Sequence, residues 1–107
     1  MNLYLDSTNN LKTIIKINDQ EYTREVTSPR DQDVFGFLMQ TLSDQNFDLS
    51  QITTIAVNPG PGTFTGTRIG VSIANALGFA LNLPVNGSHD PVEPVYSSPP
   101  SITTPSK

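Results

Sequence analysis

The sequence predicts an α/β domain: a three-stranded antiparallel meander, then two parallel strands with two main helices. Three observations carry that prediction. Apolar residues alternate with period two through the first 26 residues, between clusters of turn formers. They recur at three- and four-residue spacing after position 28. A loop rich in glycine and proline then separates a β-rich run from a long stretch without proline.

In chain order, Leu3 and Leu5 begin the first strand, which ends at the polar cluster Asp6-Ser7-Thr8-Asn9-Asn10. Leu11 to Ile17 sets Lys12 and Lys16 against Thr13, Ile15 and Ile17, with Ile14 the exception to the alternation. Asn18-Asp19 is a turn, and Glu21 to Val26 forms the third strand, with Tyr22, Arg24 and Val26 on one side. Ser28-Pro29-Arg30-Asp31 reads as a helix start: Ser28 as N-cap, Pro29 in the first helical position, Asp31 near the positive end of the dipole. That helix is expected to reach about Gln45, with Phe35, Leu38, Met39 and Leu42 as an apolar stripe that Gly36 weakens. Phe47 and Leu49 close the connection to the run Ile52 to Val57.

Pro59 and Pro61 fix two φ angles and remove two donors, so the strand stops near Asn58, while Gly60 and Gly62 permit positive φ. Thr63 or Thr65 can cap a second helix, expected from about position 65 to Leu83. Five of the seven glycines fall between positions 60 and 78. Gly66, Gly70, Ala74 and Gly78 recur every four residues as a slim stripe where another backbone can come close, with Ile69, Ile73, Leu77 and Ala80 beside it. Pro84-Val85-Asn86-Gly87 reads as a short strand parallel to 52–57, in a right-handed unit. From Ser88 onward, twenty residues hold five prolines, five serines and two threonines. Residues 1–87 are therefore read as the folded lobe and 88–107 as a disordered Pro/Ser-rich tail.

Composition narrows the function. With 107 residues, the chain holds one small domain, and with no cysteine it has neither disulfide nor thiolate metal site. The start lacks the basic and apolar regions of a secretory signal, and Ile69 to Leu83 is too short for a membrane span, so a cytoplasmic protein is expected. Net charge is −4 and the six cations are scattered, which leaves little for gripping phosphates: any nucleic-acid role runs through a partner. No Ser-His-Asp set, paired-carboxylate site or cysteine nucleophile is recoverable, and His89, the only histidine, has no second imidazole or thiolate to complete a metal site and reads as a solvated tail residue.

The string Asn58-Pro59-Gly60-Pro61-Gly62-Thr63-Phe64-Thr65-Gly66-Thr67-Arg68-Ile69-Gly70 resembles the amino-terminal half of the TsaB family. The resemblance also takes in Asp6-Ser7-Thr8, Ser28-Pro29-Arg30, Ala76-Leu77-Gly78 and Leu83-Pro84-Val85-Asn86-Gly87, and it spans about residues 1 to 87. It implies a ribonuclease H-like, actin-like (ASKHA) half-fold. It also implies a non-catalytic dimerisation subunit of the machinery that makes threonylcarbamoyladenosine in tRNA, paired with the catalytic paralogue TsaD and served by the ATPase TsaE. Pairing in that family uses the helices of the amino-terminal lobe, here those starting near Pro29 and near Thr65. The chain departs from the family in the Pro/Ser tail, which stands where a second lobe is usual, and in Gln32, where a histidine is common.

The candidate partner-binding residues are accordingly Phe35, Leu38, Met39, Leu42, Arg68, Ile69, Gly70, Ile73, Ala74, Leu77 and Gly78, since a lobe of this size cannot cover both stripes from within. The partner is a TsaD-like paralogue or a second copy of the chain; tRNA is reached only indirectly. Arg68 lies in a helix's first turn, where the dipole disfavours a cation, so either a carboxylate partner, with Asp6 and a residue of another chain as candidates, or a binding contact is expected. Gly60, Gly62, Thr63 and Gly66 also admit a phosphate-binding reading, although the loop fits neither a P-loop nor a dinucleotide fingerprint. Asp6 is read as an Asx turn, with a metal-linked aspartate as the alternative. No cofactor is expected. The competing functions are a nucleotide-binding phosphotransferase fragment and a truncated remnant without function.

Overall fold

A computed structural model describes residues 1–96. Strands β1 (Asn2–Asn9), β2 (Lys12–Ile17), β3 (Gln20–Glu25) and β4 (Thr54–Val57) form one mixed sheet in the order β3-β2-β1-β4. β1, β2 and β3 are the antiparallel meander that the period-two alternation predicts, and β4 adds parallel to β1. Register places Leu3 between Ile17 and Ile55, and Leu5 between Ile15 and Val57, so one face of β2, β1 and β4 is apolar and buried. Helices α1 (Val34–Asp44) and α2 (Phe64–Leu81) supply Leu38, Leu42, Val71, Ala74 and Leu77 to the same core.

α1 starts later than Ser28-Pro29 suggests. Pro29–Asp31 is a single 3-10 turn, and Ser28 makes no capping bond. Gln32 is extended, and its amide donates to the Asn9 carbonyl at 3.1 Å and to Thr13 Oγ1 at 3.0 Å, which ties the turn to the sheet and breaks the helical path. Asp33 then caps α1 by accepting from the Gly36 N–H at 2.9 Å. Asn46, with φ 59, ends it.

The second parallel strand shrinks to one bridge, Val85 to Ile55. Asn86 turns left-handed at φ 52, and its side chain continues the ladder instead: Oδ1 accepts from the Val57 N–H at 2.8 Å, and Nδ2 donates to the Val57 carbonyl at 3.0 Å. Residues 88–96 carry ordered contacts past the expected lobe boundary at 87, whereas 97–107 lie outside the described residues.

The slim stripe of α2 is covered from within, which corrects the expectation that it awaits a neighbour. A Cβ on Gly70 would strike Ser7 Oγ, one on Gly66 would strike the Ser7 carbonyl, and one on Gly78 would sit 2.6 Å from Val85 Cγ2. Gly66, Gly70, Ala74 and Gly78 let α2 lie directly on β1 and on the Val85 bridge. The stripe exists for the chain's own sheet.

Candidate functional site

Two places bear on function: the corner where β1 ends under the β4–α2 loop, and the outer face of the two helices. At the corner, Asp6 Oδ1 accepts from the Thr8 N–H at 3.0 Å and from the Thr8 hydroxyl at 2.7 Å, which is the Asx turn expected there. Its Oδ2 accepts from Asn58 Nδ2 at 3.1 Å. Burial pulls the Asp6 carboxyl upward, but the Thr8 and Asn58 hydrogen bonds and the charge of Lys12 outweigh it and hold the group below the ordinary carboxylate value. Tyr4, next on the same face, is raised by burial and by the negative charge of Asp6.

The loop's own donors are engaged within the chain. The Gly60 N–H donates to Asn58 Oδ1 at 3.0 Å, and the Thr63 N–H donates to the Thr8 carbonyl at 2.9 Å. Thr63 makes no side-chain cap on α2, and its hydroxyl donates to that same Thr8 carbonyl at 3.0 Å. Gly60 takes φ +110, and a Cβ there would run into the carbonyl of Val95. Gly62 is closed in by Thr8 and Thr67, and Gly66 by Ser7, whose hydroxyl donates to the Gly66 carbonyl at 2.7 Å. Among the residues of the phosphate-binding reading, Gly60 and Thr63 thus give their N–H groups to the protein, and Gly66 is buried.

The helix face divides the candidate partner residues in two. Leu38, Leu42, Gly70, Ala74, Leu77 and Gly78 are buried in the core, so this fold leaves them no surface for a partner. Met39 packs half-buried at the core's edge. Phe35, Arg68, Ile69 and Ile73 remain, and the structure brings them together. Phe35 of α1 joins Phe64, Thr65, Arg68, Ile69, Ser72 and Ile73 of α2 around an open groove of about 390 Å³. Phe35 is 54% exposed, Phe64 42% and Ile69 36%, so the apolar wall faces outward.

Arg68 does not meet Asp6, which is held by Thr8 and Asn58. Its guanidinium stands 5.9 Å from the centre of the Phe64 ring, and among the described residues it makes no ion pair; the single one found is Lys16 to Glu21 at 3.9 Å. Phe64, Thr65 and Ser72 are the groove residues absent from the predicted partner-binding set, and Phe64 is the large apolar one among them. It sits inside the loop string, and only its helical spacing to Arg68 and Ile69 marks it as part of a helix face. His89 is exposed at the rim of a second groove, of about 310 Å³, with Asn82 and Phe79. Among the described residues no group of three His, Cys, Asp or Glu side chains is placed to hold a metal, and no helix is long and apolar enough to cross a membrane.

A mixed sheet with an antiparallel meander, a parallel fourth strand and two helices over one face is a lobe of the actin-like (ASKHA) α/β fold. The family model described as "TsaD: tRNA N6-adenosine threonylcarbamoyltransferase" matches residues 31–90, more than half of the chain. The chain belongs to that family, and TsaB proteins stand beside the transferase among its relatives. It is 41% identical over 52 residues to the TsaB protein of Haemophilus influenzae, covering 49% of this chain and 22% of that protein. It is 36% identical over 56 residues to the Escherichia coli TsaB protein, covering 52% and 24%. Against the tRNA N6-adenosine threonylcarbamoyltransferase of Anoxybacillus flavithermus it is 39% identical over 61 residues, covering 57% and 18%. The solved structure of YeaZ from Pseudomonas aeruginosa superposes with a TM-score of 0.65 at 29% identity, covering 78% of this chain and 41% of that one. The chain thus matches about a fifth of the length of these curated relatives and about two-fifths of the solved one.

Proposed function

We propose that this chain is a non-catalytic partner subunit in the formation of N6-threonylcarbamoyladenosine in tRNA, pairing with a TsaD-like catalytic paralogue through the outer face of α1 and α2. The observation that carries the proposal is the groove between the helices. Phe35, Phe64, Ile69 and Ile73 present an apolar wall, and Arg68 stands at its edge without an acidic partner among the described residues. An apolar patch with a charged rim is the composition of a protein-binding surface. Family membership supplies the pathway: relatives carry the names of TsaB and of the transferase itself.

The corner at Asp6 supports an accessory role over a catalytic one. Asp6 is tied into an Asx turn, and the Gly60 and Thr63 N–H groups, which a phosphate-binding loop would direct outward, bond to Asn58 and Thr8. Tagged chain expressed in its native host should therefore capture a TsaD-like protein, and calorimetric titration of the purified chain with ATP and magnesium should release no binding heat. Binding of ATP with no paralogue captured would favour the nucleotide-dependent phosphotransferase instead.

A further inference from the structure

Beyond the sheet, residues 91–96 run back along α2 from Asn75 towards Phe64, and they are fastened at three points. The Asn75 side chain takes both polar groups of the Val92 backbone: Oδ1 accepts from the Val92 N–H at 2.9 Å, and Nδ2 donates to the Val92 carbonyl at 3.1 Å. The Val95 N–H donates to the Pro59 carbonyl at 2.6 Å. Tyr96 bridges in parallel to Gly62 and lays its ring on Phe64, with centroids 4.7 Å apart. Burial alternates along the segment: Val92, Pro94 and Tyr96 are half-buried, while Pro91, Glu93 and Val95 are exposed. That is the period of an extended ribbon seated by one edge. Pro91 and Pro94 each hold φ near its extended value and so lower the entropy lost on seating.

The ribbon ends on the residue that shapes the groove. Phe64 lines the groove, carries the Arg68 guanidinium over its ring, and is touched on another side by Tyr96. α1 closes the groove on one flank through Phe35, and the ribbon reaches the groove at Phe64, where the Tyr96 ring meets it. Gly60 is shaped for the same ribbon, since the Val95 carbonyl occupies the space of its missing Cβ.

We infer that residues 91–96 are a strap that forms part of the pairing face, with Asn75 and Tyr96 as positioning residues that hold Phe64, and through it Arg68, in the arrangement a partner meets. The inference rests on the pairing reading above. A seated strap fixes the Phe64 ring before the partner arrives, so less side-chain freedom is lost on association. A released strap leaves Phe64 free to turn and Arg68 without its platform.

The test uses the full chain and the host's TsaD-like paralogue, with affinity measured by calorimetry. Asn75→Ala removes two strap hydrogen bonds without altering a groove residue, and Tyr96→Ser removes the ring; each should weaken pairing about tenfold. Tyr96→Phe keeps the ring and should pair as the unaltered chain does. Amide exchange at Val92 and Val95 reports whether the strap is released, and far-UV circular dichroism reports whether the lobe is intact. Fast exchange at both amides with affinity unchanged to within about twofold would overturn the inference. Ile69→Asp separates it from the reading beneath: loss of pairing there with strap variants unaffected condemns the strap alone. Unaltered pairing by Ile69→Asp condemns both.

Discussion

Replacing Gly70 by alanine tests the contact that decides which face of α2 is turned inward. The new Cβ would strike Ser7 Oγ, while Ser7 Cβ is 3.5 Å away, an ordinary contact. Two opposing effects follow. Alanine favours a helix over glycine by about 1 kcal/mol, and forcing an atom into a packed interface costs about 1 to 3 kcal/mol. The net expectation is a loss of about 1 kcal/mol, which lowers the melting temperature by about 4 to 8 °C in a domain of this size. Ser7→Ala alone removes the 2.7 Å bond to the Gly66 carbonyl and should cost about 1 kcal/mol. With Ser7 Oγ gone, the nearest atom to the Gly70→Ala methyl is Ser7 Cβ at 3.5 Å, and the variant should gain the helical preference of about 1 kcal/mol. The coupling between the two sites is then about 2 kcal/mol, well above the scatter for independent positions. Urea denaturation of the four variants, followed by circular dichroism, measures it. Equal effects of Gly70→Ala in both backgrounds would refute the packing of α2 on β1.

Further outcomes follow from the same geometry. Leu38 is 0% exposed, so Leu38→Ala should cost about 2 to 5 kcal/mol. Phe35, at 54% exposure, should leave denaturation midpoints nearly unchanged when cut to alanine while weakening partner capture. Asp6 titrates below its ordinary value, so the stability it contributes is present above the unfolded-state pKa and is lost as pH falls through the lower folded value. Asp6→Asn should therefore flatten the acid limb of a stability-against-pH curve, and an unchanged limb would show that Asp6 plays no part in it.

Much of this lobe was legible in the sequence because its signals are local. Alternation at Leu3, Leu5, Ile15 and Ile17 fixes which strand face is buried, and the two prolines at 59 and 61 stop β4. What escaped depends on contacts between distant residues. Ser28-Pro29 has the composition of a helix start, yet Gln32, tied to Asn9 and Thr13 across the sheet, delays α1 to Val34. The glycine stripe of α2 records close approach, but spacing cannot say whether a partner or the chain's own β1 approaches, and Ser7 answers that. Asn86 carries the ladder through its side chain, which no strand pattern encodes. Phe64 was hidden in a loop motif, although it and Ile69 give the helix its outward apolar face.

Pairing requires one particular surface of the helices to meet the paralogue. The affinity of the Ile69→Asp chain for the host's TsaD-like protein, set beside that of the unaltered chain, measures this directly, because Ile69 lies in the groove and outside the core cluster. Binding should fall by at least about tenfold, the size of one buried interface side chain, with the melting temperature preserved. Undiminished binding by that variant would contradict the account.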